Sequence, residues 1–152
     1  MVEAAGERPT TESVVTEDVS VAADAATCEP AVGQDRVLIV DDHASFRSIA
    51  QQVLKADGFL VVGEAAGGEE AIRACGALRP DIVLLDIQLP DIDGFAVATV
   101  LASLVDAPAV VLVSSRSRTD YGSRIEDCGA RGYIAKAELS GDALRRLLTA
   151  NR

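Results

Sequence analysis

From residue 36 onward, five short aliphatic runs alternate with longer stretches whose apolar residues recur at spacings of three and four. The runs are Val37 to Val40, Leu60 to Val62, Ile82 to Ile87, Val110 to Val113 and Tyr133 to Ala135. Their length and β-branching fit strands, and Ile82-Val83-Leu84-Leu85 has the uniform apolarity of a strand buried on both faces. Strands alternating with helices through short connections predict an α/β fold, with a doubly wound five-stranded parallel sheet covered on both sides.

The intervening stretches read as helices. Phe46, Ile49, Ala50, Val53 and Leu54 share one helical face that ends at Asp57-Gly58. Ala71, Ile72, Cys75 and Leu78 mark a second helix stopped before Pro80, and Val97, Val100, Leu101 and Leu104 a third that ends before Pro108. The fourth is the least defined, since only Ile125 and Cys128 supply a buried face. The last has Ser140 as N-cap, Asp142 in its first turn and Leu139 placed to staple onto Leu144, with Leu144, Leu147 and Leu148 facing inward.

The first 35 residues differ in texture. They lack a sustained period and carry eight acids against Arg8 alone, so they hold −7 of the net charge of −10 and leave −3 for the rest. Such a segment has too little apolar surface to offset its ordering entropy, and it reads as a disordered acidic N-terminal tail over 1–35, followed by one folded domain over 36–152. The basic residues of the domain are scattered among acids, which argues against direct nucleic-acid binding. Cys28, Cys75 and Cys128 lie far apart without zinc-site or disulfide spacing, consistent with reduced thiols in a cytoplasmic protein. No signal peptide and no run approaching the roughly 18 apolar residues of a membrane span is present, so no membrane association is expected.

Ligands of open parallel sheets bind at the carboxyl ends of the strands. There the sequence reads Val40-Asp41-Asp42, Leu85-Asp86-Ile87-Gln88, Val113-Ser114-Ser115 and Ile134-Ala135-Lys136. Taken singly, each acid could cap a helix or meet a surface lysine. Together, three carboxylates in one partly dry cleft repel one another unless a divalent cation neutralises them. Oxygen ligands without a His or Cys cluster suit magnesium. His43, directly after the acid pair, reads as a solvent-facing or supporting residue rather than a catalytic one.

The chain from about Arg36 to Ala150 resembles the response-regulator receiver (CheY-like) family, on V-L-I-V-D-D, D-I-V-L-L-D-I-Q-L-P-D-I-D-G, V-V-L-V-S-S and G-Y-I-A-K. Asp86 lies 44 residues after Asp42, Ser114 28 after Asp86, and Lys136 22 after Ser114, intervals that match the family. The resemblance implies a flavodoxin-like (βα)5 fold with strand order 2-1-3-4-5. It also implies that Asp86 accepts a phosphoryl group from the phosphohistidine of a sensor histidine kinase. Asp41, Asp42, Asp86 and the backbone carbonyl of Gln88 would hold Mg2+ (or Mn2+), while Lys136 and Ser114 contact the phosphoryl oxygens. Ser114 and Tyr133 would be the switch pair, and Gln88 and Arg116 would tune dephosphorylation.

The resemblance further implies a two-component phosphoprotein of bacterial type that is not an enzyme beyond its own phosphoryl transfer and autodephosphorylation. Output is expected through an unidentified protein target on the face of the fourth helix, fifth strand and fifth helix, with phosphorylation-dependent homodimerisation as an option. Two alternatives stand beside it: a phosphorelay intermediate that passes the group to a histidine phosphotransfer domain, and a pseudo-receiver that binds partners without phosphorylation. An aspartyl-phosphate hydrolase would need a second acid where Gln88 stands, and a cap over the substrate. The V-L-I-V-D-D-H opening and G-A-R-G-Y-I-A-K are closest to receivers that precede a LuxR/NarL-type helix-turn-helix, yet the sequence stops one helix later, so that output domain is expected to be absent. Ala137 stands where many receivers have proline, which leaves the conformation of the loop after Lys136 open.

Overall fold

A computed structural model describes residues 35–150; the acidic-tail reading and Cys28 lie outside the described residues, apart from Asp35. The five apolar runs form β1 (Arg36–Val40), β2 (Leu60–Ala65), β3 (Ile82–Asp86), β4 (Ala109–Ser114) and β5 (Gly132–Ala135). They make one parallel sheet in the order β2-β1-β3-β4-β5, the 2-1-3-4-5 arrangement expected. Between them lie α1 (Ala44–Ala56), α2 (Gly68–Leu78), α3 (Gly94–Ala102), α4 (Arg124–Asp127) and α5 (Gly141–Ala150).

Because side chains alternate across a strand, the uniformly apolar runs feed two cores at once. Leu38, Val40, Val83, Leu85 and Leu112 pack with Ala71, Cys75, Phe95, Val97, Leu101 and Ile125, so α2, α3 and α4 cover one face. Val37, Ile39, Ile82, Leu84, Val111 and Val113 pack with Ala50, Leu54, Leu144 and Leu148 of α1 and α5 on the other. Every residue of β3 is buried, and each of its large aliphatic side chains contributes about 1.5–3 kcal/mol.

Several boundaries differ from the sequence reading. β2 continues through Gly63 and Glu64 because backbone pairing with β1 extends it past the apolar run. β3 ends at Asp86 rather than Ile87, and α3 stops at Ala102, six residues short of Pro108. Ile49, assigned to the buried face of α1, is 57% exposed, and Val100 and Leu104 are also exposed. The fourth helix is a single turn, preceded by a 3-10 turn over Arg118–Asp120. At α5 the Ser140 hydroxyl accepts the Ala143 amide at 3.0 Å, and Leu139 joins the core cluster of Leu144, as a cap and staple require. The loop after Lys136 is a 3-10 turn over Lys136–Glu138, and no cis peptide occurs among the described residues. Cys75 and Cys128 are buried free thiols.

Candidate functional site

Parallel register brings the strand ends to one level. Val40 pairs with Leu85 in the β1–β3 ladder, so the next residues, Asp41 and Asp86, stand side by side. Ser114 pairs with Ala135, which delivers Lys136 to the same rim one residue later. Asp41, Asp86 and Ser114 are buried there.

Asp41, Asp42, His43 and Asp86 each bring a ligand atom into a group in which all lie within 4.8 Å of one another. Oδ1 of Asp41 accepts the His43 amide at 2.7 Å, and His43 Nδ1 lies 3.2 Å from that oxygen and 3.1 Å from Oδ1 of Asp42. Oδ2 of Asp41 is buried and accepts no aligned hydrogen bond; its close neighbour is the Lys136 ammonium at 2.6 Å. Lys136 also lies 3.5 Å from Asp86 Oδ2 and 4.7 Å above the Phe46 ring, so it is held by charge and by the aromatic face. One lysine for two buried carboxylates leaves an excess of negative charge. Burial and the neighbouring Asp41 push the Asp86 carboxyl up to about 6, against the opposing pull of the Gln88 amide and Lys136.

This donor set suits magnesium or manganese. The oxygens are hard, Asp41 Oδ2 is a buried acceptor short of donors, and a divalent cation would relieve the repulsion that the ammonium offsets only in part. Gln88 enters through its backbone, its amide donating to Asp86 Oδ1 at 3.1 Å while its side chain is exposed.

Ser114 belongs to a second group. Its Oγ accepts the Arg116 amide at 3.1 Å and shares a 2.7 Å hydrogen bond with the Tyr121 hydroxyl. The Tyr133 hydroxyl donates to the backbone carbonyls of Ser114 and Arg116, and the Arg116 side chain points to the exposed surface. Tyr121 makes an edge-on contact with Phe95, centroids 5.5 Å apart, and lies 6.2 Å from the Tyr133 ring.

Four further residues support the site; three carried no sequence signal that singled them out, and Phe46 was read only as part of the apolar face of α1. Arg47 donates to the Asp41 carbonyl at 2.6 Å and to Glu64 at 2.9 Å, fixing the end of β1. Asp91 accepts the amides of Gly68, Glu69 and Ile92, capping α2 from the loop after β3 and holding its own carboxyl below the usual range. Phe46 and Tyr121 complete the set. Gly94 is required by space: a Cβ there would stand 2.6 Å from the Asp86 carbonyl oxygen and from Ile87 Cα. Asp93, just before it, caps α3 by accepting the Phe95 amide at 2.8 Å.

Residues 37–148 match the response regulator receiver domain family. The transcriptional regulatory protein PdtaR of Mycobacterium tuberculosis is 39% identical over 101 residues, covering 66% of this chain and 49% of that protein. A protein-glutamate methylesterase/protein-glutamine glutaminase of Myxococcus xanthus is 47% identical over 81 residues, 53% of this chain and 23% of that one. The signal receiver domain of the response regulator NarL from M. tuberculosis superposes with a TM-score of 0.69 at 29% identity, over 77% of this chain and 95% of that one. The chain spans about half the length of the first curated relatives it matches.

Proposed function

The chain belongs to the response regulator receiver family of two-component systems, and from that premise we propose that it is a phosphorylation switch whose acceptor is Asp86. The observation that carries the proposal is the meeting of Asp41, Asp42, Asp86 and Lys136 at one rim of the sheet, with the acceptor buried beside an ammonium. A carboxylate oxygen of Asp86 attacks the phosphorus of a kinase phosphohistidine; the new P–O bond forms as the P–N bond breaks, and the imidazole leaves with the electron pair. With a carboxyl pushed up only to about 6, Asp86 is mostly ionised at neutral pH and able to attack.

Phosphoryl transfer depends chiefly on positioning and charge neutralisation. Asp41, Asp42, Asp86 and the Gln88 carbonyl are the proposed magnesium or manganese ligands, and the bound cation supplies neutralising charge to the phosphoryl oxygens. Lys136 exchanges part of its contact with Asp41 for a phosphoryl oxygen, and Ser114 donates its hydroxyl to another. Gln88 and Arg116 flank the approach of hydrolytic water and set the lifetime of the group. Phosphorylation adds roughly −1.5 to −2 charges, and Ser114 and Tyr133 carry the change to the face of α4, β5 and α5, where a protein target or a second copy of the chain docks.

Incubation with magnesium and acetyl phosphate followed by intact mass tests the acceptor. A single base-labile phosphoryl adduct is expected on the wild type and none on Asp86→Asn. No adduct on the wild type would favour a phosphorylation-independent binding module.

A further inference from the structure

Ser114 has one hydroxyl proton and two lone pairs, and both partners that engage its Oγ lie on the segment that follows β4. The Arg116 amide occupies one lone pair, and the Tyr121 hydroxyl takes the remaining close contact at 2.7 Å. The hydrogen bonds of Asp86 run instead to the Gln88 amide, with Lys136 alongside. The side chain that should reach toward Asp86 is therefore engaged by its own loop.

Tyr121 is itself well braced. The 3-10 turn before it is closed by a reciprocal box in which Asp120 accepts the Ser117 amide, and its ring packs edge-on against Phe95. Tyr133 grips the same loop by a different handle, the backbone carbonyls of Ser114 and Arg116. Two tyrosines thus hold one loop, one at a side-chain oxygen and the other at the main chain.

We infer that Tyr121 is a positioning residue that latches the Ser114 hydroxyl in the unphosphorylated state, so that phosphorylation of Asp86 must break or redirect the Tyr121–Ser114 hydrogen bond before Ser114 can turn inward. The inference rests on the acceptor reading above. Removing the latch raises the population of the competent conformation and tightens the apparent affinity for a phosphoryl group, because a fractionally populated competent state weakens binding in proportion.

The test is a double-mutant cycle with Tyr121→Phe, which deletes the hydroxyl and keeps the ring, and Ser114→Ala. The probe is beryllofluoride with magnesium, a non-covalent mimic of the phosphoryl group, titrated by calorimetry. Tyr121→Phe should tighten binding about fivefold, the worth of one net hydrogen bond, and should change nothing in the Ser114→Ala background. Unchanged or weaker binding, or the same gain without Ser114, overturns the latch. Asp86→Asn separates the two claims: if it binds the probe like the wild type, the acceptor reading has failed. Hydrogen exchange of the Arg116 amide in the ligand-free protein then decides the latch alone. Faster exchange in Tyr121→Phe supports a standing restraint on the loop, and identical exchange refutes it.

Discussion

The two rims of the sheet treat charge in opposite ways. At the carboxyl rim, Asp41, Asp86 and Ser114 are buried, and the two acids share one ammonium. At the amino rim, the Asp81 carboxylate accepts the Arg36 amide at 2.9 Å, and the Arg36 guanidinium caps the α2 end through the carbonyls of Leu78 and Arg79. Arg79 and Asp106 pair there at 3.4 Å, each mostly exposed. The amino rim closes the fold with groups that satisfy one another. The carboxyl rim keeps an excess of negative charge that a divalent cation would relieve, a price in stability borne at the proposed site.

That contrast predicts that substitutions at the carboxyl rim change stability and phosphoryl uptake together, whereas those at the amino rim change stability alone. Gly94→Ala should have the largest effect. The added Cβ would lie 2.6 to 2.7 Å from three backbone atoms of Asp86 and Ile87, so the loop after β3 must shift. Denaturant unfolding should show a loss of about 2–4 kcal/mol, and acetyl phosphate labelling should slow in parallel. Normal labelling in a destabilised protein would separate the loop from the acceptor.

Asp86→Asn should act in the reverse sense on stability. Its carboxyl is pushed up to about 6, so between about pH 4 and 6 the folded state holds more protons than the unfolded one, and the stability contributed by this group falls as pH rises through that window. In metal-free buffer at pH 7.5 the amide should therefore be more stable by about 1–3 kcal/mol, with the gain gone below pH 4. Urea titrations of both proteins at the two pH values check this, and a gain that persists in acid would assign it to something other than charge.

The smallest effect belongs to the amino rim. Arg79 is the non-glycine residue with positive φ, +51°, among the described residues. Arg79→Gly should relieve that conformation and stabilise the protein by about 0.5–1 kcal/mol, since the exposed pair with Asp106 offers little to lose. Phosphoryl labelling should be unaffected. A change in labelling would show that the rims are coupled.

What was legible in the sequence follows the same division between uniform and local signals. β1, β3 and β4 are buried on both faces, so their apolarity is continuous and the polar residues at their ends, Asp41, Asp42, Asp86 and Ser114, stand out in the sequence, whereas Lys136 follows the half-buried edge strand β5 and was marked by its spacing from Ser114. Edge strand β2 was only half visible, because backbone pairing rather than side-chain apolarity carries it through Gly63 and Glu64. Ile49 and Val100 followed the helical period yet lie exposed, since a period fixes a face and not how wide a strip of it is covered. Tyr121 was missed because the 3-10 turn that positions it, Arg118–Asp120, has no apolar period. Asp91 was missed because its capping partners Gly68 and Glu69 lie more than twenty residues earlier in the chain.

The ladder between β1 and β3 runs without interruption from Val37–Ile82 to Val40–Leu85, whereas the ladder between β1 and β2 slips at Val37/Leu38. One residue of strand spans about 3.3 Å, more than the length of the contacts that join Asp41 to its neighbours. The central ladder is thus a ruler for the acid pair, and the irregularity is absorbed on the edge that carries none of the site's acids. Changes of length should be tolerated in the turn leading into β2 and ruinous in β1 or β3, making the outer edge the place where a chain like this can accept insertions without losing its chemistry.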